Sequence, residues 1–252
     1  MDDDAFVVRV PETPPRATPQ QYRTAAYEVS WFVLVSGALT ITLLEDPTRA
    51  RFAFECLVEP ARDRDAAGHE FATGEWVYDI PALDGEVTGV AAWDEVGTLQ
   101  TCLLPLEAKV NRLRVRFRQL VRNGSRYRFW YAYEAPVRTV VSTRVLSQMV
   151  VCTGWLIFNL PCESIRVCIR LPAHARLTKS APQGEVSAPE TGRMQVRYPL
   201  EHLRPLETSQ WLVAYERRKI GVPLYLWAAA QLAAGVGGWL IGRALDGWAG
   251  RG

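Results

Sequence analysis

Apolar and polar residues alternate through most of the chain between residues 48 and 218. That period of two sets one side of a β-strand in a core and the other in water. ARFAFECLVEP, GEWVYDI, GTLQTCLLPL, NRLRVRFRQLV, SRYRFWYAYE, SIRVCIRLP, RMQVRYPL and SQWLVAYE all have strand length, and Pro, Gly, Asn or Asp punctuate most of the gaps. YEVSWFVLVSGALTITLLE reads as a hairpin turning at Ser36 and Gly37, its uncharged run Val29 to Leu44 being short for a membrane span and rich in β-branched residues. STRVLSQMVV leans to strand through its valines and threonine, and Lys179 to Gly192 reads as a solvent-exposed loop.

These elements predict a mainly β protein, built as one or two antiparallel β-sandwich modules followed by a single C-terminal transmembrane helix. Residues 1–22 form an acidic, proline-rich lead, 23–140 a first module, and 141–218 a second module or a continuation of the same sandwich. A faint echo between RYRFWYAYEAP and SQWLVAYERRK, each ending in Tyr-Glu, places the boundary near Pro136 to Ser147.

The pattern breaks at Val222. From there to Gly242 no residue is charged, which matches the length of helix that crosses a bilayer core. Tyr225, Trp227 and Trp239 sit towards the ends of this run, where aromatic rings favour headgroups. Arg217, Arg218 and Lys219 precede it, against Arg243 and Arg251 in the short tail 243–252. That bias predicts a tail anchor in the cell membrane with the large domain facing the cytoplasm. Ala230, Ala234, Gly238 and Gly242 recur every four residues, a stripe of small side chains along which two helices can approach, and Gln231 beside it can hydrogen-bond across the same contact. The expected partners are the membrane and a second copy of the chain.

Composition agrees with a folded domain, 48% of residues being hydrophobic and 22% charged. Five cysteines without a CxxC pair suit buried thiols in a reducing compartment, and the N-terminal stretch lacks the basic and apolar regions of a secretory signal. The formal charge is only +2, from 29 basic and 27 acidic residues, so any anion binding must be local.

One segment stands out. Arg112, Arg114, Arg116 and Arg118 share one face of a strand, with Leu113, Val115 and Phe117 on the other; past a turn at Asn123 and Gly124, Arg126 and Arg128 return. If the two strands pair as a hairpin, the six arginines make a patch that fits anionic lipid and, less well, nucleic acid. The competing reading is a solvated face whose arginines pair with carboxylates on neighbouring strands.

Signals for chemistry are few. His69, His174 and His202 are scattered, without HExxH, a nucleophile elbow, a metal-ligand spacing or a glycine-rich phosphate loop. Asp63, Asp65, His69 and Glu70 form a mixed polar cluster that equally describes a solvated turn. No catalytic residue, metal or cofactor is expected. The sequence therefore points to interaction in place of catalysis: an oligomerising membrane effector or scaffold with an unidentified protein partner, of the membrane-disturbing kind found in bacterial conflict, or else a membrane-tethered module for an anionic ligand.

Overall fold

The computed structural model describes residues 32–61, 72–81, 86–106, 110–144, 147–158, 160–188, 193–204 and 207–218, with Ala229. Among them the protein is mainly β. The strands are β1 (Phe32–Leu43), β2 (Arg49–Pro60), β3 (Ala72–Pro81), β4 (Thr88–Trp93), β5 (Gln100–Leu106), β6 (Val110–Arg122) and β7 (Tyr127–Pro136). They continue with β8 (Arg138–Thr143), β9 (Ser147–Ile157), β10 (Cys162–Arg170), β11 (Arg176–Ala181), β12 (Glu185–Ser187), β13 (Gln195–Leu203) and β14 (Thr208–Arg218).

They form a seven-stranded sheet ordered β12-β13-β10-β1-β2-β7-β4, a four-stranded sheet β11-β14-β9-β8, and a three-stranded sheet β3-β6-β5. The large sheet takes β1, β2, β4 and β7 from before residue 140 and β10, β12 and β13 from after it, so it is continuous across that point. Its pairings are antiparallel except one: β10 runs parallel to β1, with Leu39 beside Val167 and Thr42 beside Arg170. The expectation of purely antiparallel modules is corrected there, because β10 enters the sheet from the four-stranded side and no tight turn joins it to β1.

Register explains the core. Tyr198, Val167, Leu39, Phe54, Tyr131 and Ala92 stand side by side across six strands of the large sheet, and all six are buried. Burial contributes about 1.5–3 kcal/mol for each large side chain in such a row. Over the β1-β2-β7 part lies the three-stranded sheet. Trp76 of β3 meets Phe129 edge-on at 5.2 Å, Phe117 of β6 lies 5.0 Å from Phe129, and Phe54 stacks on Tyr131 at 4.6 Å. Aromatic pairs of this kind add about 0.5–1.5 kcal/mol beyond area burial.

Two expectations from local sequence are corrected. Ser36 and Gly37 do not turn; β1 is one strand carrying a bulge between Leu34 and Ser36. A Cβ at Gly37 would lie 2.8 Å from the Glu55 carbonyl oxygen, so the glycine is there to let β2 approach the bulge, not to reverse the chain. The stretch from Lys179 holds the end of β11 and the short β12, which pairs with β13 through Glu185 and Arg197, so part of the expected loop is sheet edge.

The real β1–β2 turn comes at Glu45 to Thr48 and is fastened to the four-stranded sheet. Asp46 Oδ1 accepts from the Thr48 amide at 2.9 Å and from its hydroxyl at 2.7 Å, an Asx-type turn. Thr139 of β8 donates to the Pro47 carbonyl at 2.6 Å, and Arg217 of β14 donates through Nη1 to the Glu45 carbonyl at 2.6 Å and through Nε to Gln148 at 3.2 Å. Arg217 is buried. Among the described residues no helix is long and apolar enough to cross a membrane; the run Val222–Gly242, apart from Ala229, lies outside them.

Candidate functional site

β6 keeps the alternation its sequence predicts: Leu113, Val115 and Phe117 are buried, while Arg114, Arg116 and Arg118 point outward and Arg112 is half-buried. The hairpin that would join these arginines to Arg126 and Arg128 does not form. β6 pairs with β3 and β5, whereas β7 pairs with β2 and β4. The turn around Gly124, at φ 72°, carries the chain from one sheet of the sandwich to the other. Arg112 to Arg118 therefore leave the outer face of the small sheet, and Arg128 leaves the outer face of the large one.

Carboxylates meet most of these guanidinium groups. Arg112 grips Asp79 with two hydrogen bonds, Nε to Oδ1 at 2.7 Å and Nη2 to Oδ2 at 2.9 Å, and this pairing raises its pKa further. Arg114 donates to Glu75 at 2.5 Å. Arg126 reaches Glu59 at 3.2 Å, and Arg128 lies 3.9 Å from Glu55. Arg116 stands between Glu75 and Gln100 in register and makes no ion pair among the described residues.

The most organised polar group on the domain is Asp94. It follows β4, and its Oδ1 accepts the amides of Val96 and Gly97, both at 2.9 Å. Its Oδ2 accepts the Tyr127 hydroxyl at 2.6 Å, and Arg118 approaches through Nε at 3.2 Å while donating Nη2 to the Thr98 carbonyl at 2.8 Å. Burial alone would raise this carboxyl's pKa, yet the hydrogen bonds from Tyr127, Gly97, Val96 and Arg118 outweigh it and bring it down to about 2. Tyr127 moves the other way, to about 12, through burial and the carboxylate it faces. Asp94 was not singled out in the sequence; its signal is the Asp-x-x-Gly spacing of Asp94 and Gly97, which lets an aspartate cap its own turn.

Around Asp94 a shallow cleft of about 600 Å³ is lined by residues that include Arg118, Gln119, Arg126 and Arg128. The two arginine-bearing strands do converge here, at one edge of the sandwich, but Asp94, Glu59 and Glu55 already neutralise the three guanidinium groups. As it stands, the cleft offers a strong anion little unshared positive charge.

Other residues with reactive side chains are dispersed. His174 lies between β10 and β11 and His202 within β13, both with left-handed backbones at φ 59° and 53°. Asp63, Asp65, His69 and Glu70 lie outside the described residues, as do Ala230, Gln231, Ala234, Gly238 and Gly242. Burial pushes up the thiol pKa of Cys56 and Cys152, away from the thiolate. Among the described residues no three His, Cys, Asp or Glu side chains are placed to hold a metal ion.

No family profile matches the sequence, and no curated protein is similar to it. Solved structures with a related course of chain include an M1 zinc metallopeptidase from Deinococcus radiodurans. The similarity is to a mutant form bound to a Tyr-Ser-Ala substrate, at TM-score 0.49 and 12% identity over 72% of this chain, and to a form at TM-score 0.47 and 11% identity. The match spans 42% of each of those chains. At that distance the likeness carries no argument about activity.

Proposed function

We propose that the protein is a membrane-anchored interaction protein: a β domain held at a bilayer by the run Val222–Gly242, with assembly through the small-residue stripe Ala230, Ala234, Gly238 and Gly242 and its neighbour Gln231. The observation that carries this reading is the end of β14. Trp211, Val213 and Tyr215 are buried in a core cluster built of strand and strand-flanking residues between Phe32 and Tyr215, and the strand ends at Arg218. An uncharged run begins four positions later. The run has the length of a helix that crosses a bilayer core and follows directly on the last strand, which favours the bilayer as its surroundings.

The interior role of Arg217 alters one part of the argument. A guanidinium held by Glu45 and Gln148 is not a flanking charge at a membrane surface, so Arg218 and Lys219 stand against Arg243 and Arg251 and the bias vanishes. Orientation towards the cytoplasm then rests on five free cysteines, Cys102 among them exposed, which suit a reducing compartment. The anionic-ligand alternative is weakened by carboxylates on five of its six arginines.

Extraction of membranes bearing the full chain with alkaline carbonate tests the anchor. Retention in the pellet is the expected result, and release into the supernatant overturns the reading. Assembly has its own arm, Gly238→Leu against Val236→Leu in a membrane association reporter. Only the leucine on the stripe should weaken association, since only it separates backbones in close contact.

A further inference from the structure

We propose that the end of the β domain from which the chain leaves at Arg218 is a docking face for anionic lipid headgroups, carried by Arg144, Arg170, Arg176, Arg193 and Arg218. The proposal rests on the anchored reading above and specifies which surface meets the bilayer.

Topology gathers these residues from five places in the sequence. Arg170 ends β10 beside Thr42, near the end of β1, and beside Gln195 at the start of β13. Arg193 lies two positions before that strand, beside Met194, whose carbonyl accepts the Leu171 amide. Arg218 ends β14 opposite Ser147, and Arg176 opens β11 opposite Glu216. The Arg144 amide donates to the Ser147 carbonyl at 2.8 Å. Arg217, bonded to the Glu45 carbonyl, ties the end of β14 to the end of β1, so the two groups of strand ends belong to one end of the domain.

All five arginines are exposed, and among the described residues none forms an ion pair, unlike Arg112, Arg114, Arg118, Arg126 and Arg128. Among the described residues none of the acids at the same end lies within ion-pair distance of the five: Asp46 accepts from the Thr48 amide and hydroxyl, Glu216 accepts the Ser147 hydroxyl, and Glu45 and Glu86 are exposed.

Chain length brings this end to the bilayer. From Arg218 to Val222 there are four Cα steps, at most about 14 Å when extended. If Val222 enters the hydrocarbon, much of that reach crosses the headgroup layer, roughly 5–8 Å thick on each side. Side chains as long as arginine then lie within a Debye length of about 8 Å of the lipid phosphates. Each basic residue so placed strengthens binding to an anionic surface about fivefold, and the tether raises the effective concentration of weak contacts. Among the described residues the exposed rings are elsewhere: Trp155 is opposite Gln210, towards the far end of β14, and Trp93 is on β4. Phosphate pairing without base stacking fits a lipid surface better than single-stranded nucleic acid.

The test uses the full chain in vesicles of phosphatidylcholine alone, or of phosphatidylcholine with phosphatidylserine, modified with phenylglyoxal and read by peptide mass spectrometry. Arg144, Arg170, Arg176, Arg193 and Arg218 should lose reactivity several-fold in the anionic vesicles, while Arg116, exposed on another face and without an ion pair among the described residues, stays unchanged. Carbonate washing of the same vesicles reports insertion separately. A chain that resists carbonate yet shows equal reactivity in both lipids overturns the docking face and leaves the anchor standing. A chain that carbonate removes overturns the anchor and the docking face with it. Equal protection of Arg116, or protection by added RNA in place of phosphatidylserine, also overturns the lipid assignment.

Discussion

The arginines of β6 and β7 and those at the Arg218 end are both exposed to solvent, yet they differ in what faces them. Arg112 lies opposite Asp79 in the β3–β6 register, Arg128 is two register positions from Glu55 in the β2–β7 pair, and Arg118 is anchored to Asp94. Arg170 lies opposite Thr42 and Gln195, and Arg218 opposite Ser147. In the first group a neighbouring strand or loop brings a carboxylate within ion-pair distance; in the second, at strand ends, even Arg176, opposite Glu216 in register, forms no ion pair among the described residues. Arginine density along the sequence is therefore a poor guide to available charge. The segment with seven arginines between Arg112 and Arg128 is largely neutralised, and the sparser set, scattered over 75 residues of sequence, is not.

The comparison breaks most visibly at Asp94, where one carboxylate serves Arg118, Tyr127 and two backbone amides. Asp94→Ala strands a buried hydroxyl and frees the Val96 turn, and it should cost about 2–3 kcal/mol in urea unfolding. The acid limb gives a second handle. Because the folded-state pKa lies near 2, below the unfolded carboxylate value of about 4, the contribution is complete above pH 4 and is lost as pH falls through 2. Wild type and Asp94→Ala should therefore converge in stability across that window. A gap of constant size would mean that the carboxylate's charge is not what stabilises the site.

Much of this arrangement could be read in the sequence, and the missing parts share one cause. The parity of Leu113, Val115 and Phe117 gives the buried face of β6, and Tyr127, Phe129 and Tyr131 give that of β7. Asn123 and Gly124 mark a turn between them. What parity cannot tell is whether two amphipathic strands joined by a turn lie side by side in one sheet or face each other across a core. Both arrangements bury the same residues, and here Phe117 packs on Phe129 from the opposite sheet. Partners such as Asp79, 33 residues from Arg112, depend on that choice, so pairing with carboxylates could be expected from the sequence while the identity of each partner could not. Gly37 shows the same limit: a glycine that admits a neighbouring carbonyl looks, in sequence, like one that turns the chain.

A smaller effect sharpens the contrast on the β6 face. Arg112 and Asp79 form a bidentate pair with both side chains partly exposed, 41% and 29%, and solvent screening holds the worth of such pairs to about 1 kcal/mol or less. A double-mutant cycle of Arg112→Ala and Asp79→Ala should return a coupling near that upper value at low salt and less at high salt. Coupling indistinguishable from zero would place Arg112 with the unpaired group despite its geometry.

The smallest expected effect on folding comes from the other set. Arg144, Arg176 and Arg218 contact no carboxylate among the described residues, and their exposed side chains contribute little to the core. The triple replacement Arg144→Gln, Arg176→Gln and Arg218→Gln should leave stability within about 0.5 kcal/mol of wild type. It would also relieve repulsion among charges gathered at one end, so a slight gain in the urea midpoint at low ionic strength, vanishing as salt is added, is the expected sign. A loss of 1 kcal/mol or more, by contrast, would mean that these arginines hold the strand ends together, as Arg217 does through Glu45, and the line drawn between a structural and an available set of arginines would have to move.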